Sequence, residues 1–123
     1  MLALQGAPAR VIRAWIEGRF ELVVSPQLLD ELERALAYPK LRSRIPQEEA
    51  EGFIQWLGRS AVQASDPTDG PPVHSPDPGD DYLIALAAAE RAVLVSGDEH
   101  LLSLDVELPI YAPREFLDIL DSA

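Results

Sequence analysis

The sequence predicts an α/β fold built around a parallel sheet, and three observations predict it. Helical and strand-like segments alternate along the chain, the pattern of parallel strands joined by crossover helices. The best strand candidate, AVLVSGD at 92–98, is an uninterrupted apolar run of the kind covered on both faces. The 123 residues suffice for one substantial core but not two, so residues 1–123 are expected to form a single domain.

Residues 8–18, PARVIRAWIEG, read as a helix. Pro8 suits a first turn, Val11, Ile12, Trp15 and Ile16 recur at helical spacing, and Gly18 is a natural stop. RFELVVS (19–25) follows as a short buried strand. Ser25-Pro26 marks the next helix start: the serine caps, and proline takes a position whose N–H has no helical partner. That helix runs to Tyr38, where Pro39 breaks it, with Leu28, Leu29, Leu32 and Leu36 on its core face. PQEEAEGFIQWLGRS (46–60) reads as a helix burying Phe53, Ile54, Trp56 and Leu57, and AVQAS (61–65) as a short strand. Residues 66–79, rich in Pro, Gly, Asp and Ser, are loop. From Asp80 the stretch DDYLIALAAAERA is strongly helical, with Leu83, Ile84, Leu86 and Ala87 inward. After the strand at 92–98 come a short helix EHLLSL, a strand LPIYAP and a terminal helix PREFLDIL.

Composition narrows the function. A formal charge of −11 argues against a general nucleic-acid coat protein, which carries a basic stripe to neutralise phosphates. Excess carboxylate serves solubility, or it forms a cluster that needs a cation. The absence of cysteine excludes disulfides and thiolate metal sites and fits a reducing cytoplasm. No apolar run approaches the ~20 residues that span a bilayer, and MLALQGAPAR lacks the basic n-region of a signal peptide. A soluble, cytoplasmic protein without a membrane partner is expected.

In open α/β sheets, sites form at the carboxyl ends of strands. Three acids fall there: Asp98 after AVLVSG, Asp80 opening a helix, and Glu31 in the second turn of the helix after FELVV. Hard cations such as Mg2+ and Mn2+ take oxygen ligands, so carboxylates from separate loops make a workable site. Each residue also has a plain structural use. Asp80 or Asp81 can cap a helix or complement its dipole, Asp98 can cap EHLLSL, and Asp77 before Pro78 is a turn residue. Helical geometry does not separate Glu31 from Glu33. His74 and His100 are lone histidines without ligand spacing. Lys40, Arg42 and Arg44 form the only locally basic segment, suited to a phosphate backbone or simply solvated. No Gly-rich phosphate loop is present.

Five stretches together resemble the PIN-domain ribonucleases, above all the toxin components of bacterial toxin–antitoxin systems. They are GAPARVIRAWIEGRFELVVSPQLLDELERAL, YPKLRSRI, DPGDDYLIALAAA, LVSGDEHLL and PIYAPREFLDIL, in the family's order and over nearly the whole chain. The resemblance implies a three-layer α/β/α fold around a parallel sheet, with acids binding Mg2+ or Mn2+ to hydrolyse single-stranded RNA. It places the catalytic and metal-binding acids at Glu31, Asp80 and Asp98, with Asp81 the neighbour that takes Asp80's place as metal ligand if the register shifts by one residue, and Ser96 at a supporting hydroxyl position. Lys40 and Arg42 would face the substrate, and a cognate antitoxin protein would be the partner. The family's pattern opens with a central strand ending in aspartate, of the form hydrophobic-Asp-Thr-Asn. This chain begins where that segment would end and carries no acid before Glu17. The expectation is therefore a sheet lacking its first, central strand, with one ligand fewer and exposed edges that favour a homodimer. A non-catalytic PIN-like remnant acting as a protein-interaction module is the alternative.

Overall fold

The computed structural model describes residues 6–122, which gather into two compact units. The first spans Glu21–Asp66; the second combines residues 6–20 with 67–122.

The first unit runs β1 (Val23–Val24), α1 (Pro26–Leu36), α2 (Pro39–Arg42), α3 (Gln47–Ser60) and β2 (Val62–Gln63). α1 begins as Ser25-Pro26 requires: the Ser25 hydroxyl accepts from the Leu28 N–H at 3.3 Å, and Pro26 occupies the first turn. The Asp66 carboxylate adds a second stop for the helix's free donors, accepting from the Gln27 N–H at 3.2 and 3.3 Å. α1 ends at Leu36, before Tyr38, and Pro39 then opens the four-residue α2 within the basic segment. Leu36, Ile45 and Ala50 are buried together, with Leu32, Phe53 and Ile54 against them. The strands pair in parallel, Val23 with Val62 and Val24 with Gln63.

The second unit comprises α4 (Gly6–Ile16), a 3-10 turn (Pro78–Asp80), α5 (Asp81–Glu90), β3 (Leu94–Val95), α6 (Glu99–Leu102), β4 (Ile110–Tyr111) and α7 (Pro113–Ser122). α4, first in the chain, covers Gly6–Ile16 rather than 8–18, and Gly18 supplies the left-handed turn (φ 79°) that stops it. The Arg19 N–H reaches back to the Ala14 carbonyl at 3.0 Å, satisfying one of the last free acceptors. α4 packs on α7. Beside them Phe20 meets Phe116 edge to face at 5.0 Å, and Arg19 pairs with Asp121 at 3.0 Å. Ile84, Leu101 and Ile110 form the buried centre, flanked by Leu83, Leu94, Leu102, Leu104 and Leu108. β3 and β4 are parallel, Leu94 opposite Ile110 and Val95 opposite Tyr111.

Parallel pairing thus holds in both units, but the described residues form two two-stranded pairs. The expected strands of five to seven residues shrink to two-residue ladders, because a ladder lasts only where a partner faces it. The expected absence of a central strand concerns chain before residue 6 and lies outside the described residues. No described helix is long and apolar enough to cross a membrane.

Candidate metal-binding carboxylate pair

The pair is built by two loop-to-helix junctions in the second unit. At the first, Asp77 caps the 3-10 turn, its carboxylate accepting from the Gly79 N–H at 3.0 Å. Asp80 closes that turn and stands at the cap position of α5, yet its side chain makes no capping hydrogen bond. A plain helix-capping role for Asp80 is thereby removed. The side chain is half-buried, and its Oδ2 is shielded from solvent with no hydrogen-bond partner. A buried carboxylate oxygen left unpartnered is costly, so this atom asks for a proton or a cation.

At the second junction, just past the carboxyl end of β3, Asp98 opens α6. Its Oδ1 accepts from the His100 N–H at 2.8 Å, and its own N–H donates to the Ser96 hydroxyl at 3.0 Å. Ser96 in turn donates its N–H to the Tyr111 carbonyl at 3.0 Å, tying the loop to β4. The capping use of Asp98 is therefore real, and it leaves the second carboxylate oxygen available.

Asp98 stands near enough to Asp80 for its charge to be felt there. The Asp80 carboxyl is pushed above its ordinary value of 3.8, by burial first, then by the charges of Asp77 and Asp98, then by a side-chain hydrogen bond with Asp98. Nearby His100 pulls the other way. Like charge nearby disfavours the ionised form of Asp80, and a bound cation would favour it. All-oxygen donors with one unpartnered buried atom fit a hard divalent cation.

The other candidates divide by what already holds them. Asp81 uses both oxygens: Oδ1 accepts from the Ser75 N–H at 2.7 Å, and Oδ2 lies 2.8 Å from His74 Nδ1. These contacts hold its carboxyl below 3.8, the His74 side chain first and the Ser75 amide second. Glu31 belongs to the first unit, where its Oε1 receives Arg34 Nη1 at 2.8 Å. Lys40 and Arg42 lie on α2; Lys40 is exposed, while Arg42 Nε is shielded without a hydrogen-bond partner. Among the described residues, no three of His, Asp and Glu gather at spacing fit to hold a metal ion. The pairing of His74 and Ser75 with Asp81 is not legible in the sequence. It spans six to seven residues of proline-rich loop, where no periodicity announces a contact.

A comparison with family models matches residues 1–100 to the PIN domain. Comparisons with curated proteins and with solved structures gave no match.

Proposed function

The chain belongs to the PIN domain family, and on that premise we propose an Mg2+- or Mn2+-dependent endoribonuclease cleaving single-stranded RNA, the toxin of a toxin–antitoxin module in the cytoplasm. PIN domains are in general nucleases, which supports the reaction class. The observation that carries the site is the shielded, unpartnered Asp80 oxygen, with the Asp98 charge nearby.

Asp80 and Asp98 would hold the cation. When bound, the cation supplies Lewis-acid stabilisation of charge developing on the scissile phosphate. A carboxylate of the set takes the proton of the water that attacks phosphorus in line with the leaving oxygen. Ser96 keeps Asp98 aimed through the Asp98 N–H. Lys40 and Arg42 draw the phosphate backbone by charge.

Mn2+ is expected to raise the melting temperature of the unmutated protein, since a ligand that binds only the folded state stabilises it. Asp80→Asn is expected to lose that rise. No rise in the unmutated protein would sink the site. Cleavage of single-stranded RNA should require Mn2+ or Mg2+ and disappear both on chelation and in Asp98→Asn.

The Glu31–Arg34 ion pair favours a second reading, in which the domain binds an antitoxin or a second copy without catalysis. RNA cleavage that depends on Asp98 would dismiss it.

A further inference from the structure

The loop before α5 is laced to the helix by a short relay of hydrogen bonds that centres on Asp81. Asp81 receives Ser75 N–H and His74 Nδ1 on its two oxygens. The Ser75 hydroxyl accepts from the Asp77 N–H at 3.2 Å, and the Asp77 carboxylate accepts from the Gly79 N–H at 3.0 Å. The relay is compact: Ser75 is buried, and a Cβ on Gly79 would come within 3.2 Å of Asp77 Oδ1. The residue enclosed between Gly79 and Asp81 is Asp80, whose own side chain makes no capping bond to hold it.

We infer that Asp81 is a positioning residue: with His74 and Ser75 it clasps loop 74–80 to α5 and so aims the Asp80 carboxylate at Asp98. The inference rests on the reading of Asp80 and Asp98 as a cation site. It assigns Asp81 a role distinct from that of a ligand, since both its oxygens already have partners. An outer contact of this kind acts by fixing the orientation of a ligand, and its loss typically weakens metal binding by about 10- to 100-fold.

The test compares Asp81→Asn, Asp81→Ala, His74→Ala and Asp80→Asn by Mn2+ titration calorimetry, at a temperature where every variant is folded. Asparagine keeps an acceptor for Ser75 N–H and a donor for neutral His74, so Asp81→Asn should retain Mn2+ affinity within a few-fold. Asp81→Ala should weaken it about tenfold or more, His74→Ala should weaken it less, and Asp80→Asn should abolish binding. Equal loss in Asp81→Asn and Asp80→Asn would make Asp81 a ligand and overturn the inference. Wild-type affinity in Asp81→Ala would reduce the clasp to plain loop structure. A metal-free readout separates this from the cation site itself. By 15N relaxation, the amides of Gly79 and Asp80 should become mobile in Asp81→Ala and stay ordered in Asp81→Asn. Unchanged order in Asp81→Ala would overturn the clasp whether or not the protein binds Mn2+; retained clasp behaviour with no Mn2+ binding would overturn only the cation site.

Discussion

At the scale of single residues, two adjacent aspartates have been sent in opposite directions. Asp80 sits above the ordinary carboxyl value because burial, Asp77 and Asp98 all disfavour its charge; Asp81 sits below because His74 and Ser75 favour it. The linkage signs follow. For Asp80, a raised folded value means that ionisation works against folding, and stability from this group is regained as pH falls through that value toward 3.8. For Asp81, a lowered folded value means that its stabilisation is complete above 3.8 and is lost as pH falls below it. In metal-free protein, Asp80→Asn should therefore raise the melting temperature at neutral pH and flatten the profile above 3.8, while Asp81→Asn should flatten it below. A lower melting temperature for Asp80→Asn at neutral pH, seen by calorimetry, would contradict the assignment. The same strain that weakens the metal-free fold is what a cation would relieve.

At the scale of elements, the helices are set by their ends. The Ser25 side chain is almost fully buried while capping α1, so Ser25→Ala should cost about 0.5–2 kcal/mol in denaturant unfolding. α5 ends differently, on Arg91 in the left-handed region at φ 52°, where a residue with a Cβ is strained. Arg91→Gly should remove about 1 kcal/mol of that strain and raise the denaturation midpoint. A fall in the midpoint would mean that the Arg91 side chain makes a stabilising contact worth more than the strain. These ends are legible in the sequence because caps, prolines and glycines act within a turn of where they stand. Strand limits are not local in this way. The apolar run at 92–98 is plain, but only Leu94 and Val95 find ladder partners, and those lie sixteen residues on, at Ile110 and Tyr111.

At the scale of the whole molecule, each unit has its own buried cluster, and each carries one of the two tryptophans: Trp56 in the first and Trp15 in the second. We expect the chain to unfold as a single domain. Trp15→Phe and Trp56→Phe variants, each reporting the other unit by fluorescence, should then show coincident denaturant midpoints after correction for each substitution. Separated midpoints would mark two independently folding units. Leu101, nearly fully buried between Ile84 and Ile110, tests how far one core matters to the other: Leu101→Ala should cost about 2–5 kcal/mol and lower both reports together. The charge of −11 acts at this scale too, setting up a negative field that opposes the approach of any polyanion.

The amino-acid sequence by itself determined the longer helices, the Ser25 cap, the parallel α/β class and the acids worth suspecting. Each of these follows from periodicity or from chemistry confined to one turn of chain. Only the tertiary structure decided which partners each acid meets. Asp80 and Asp98 stand eighteen positions apart in the chain, and their nearness depends on how α5 and β3 bring two loops together. Asp80 and Asp81 are chemically identical neighbours, and they part because Asp80 lies half-buried near the charges of Asp77 and Asp98 while Asp81 faces an imidazole and an amide across the loop.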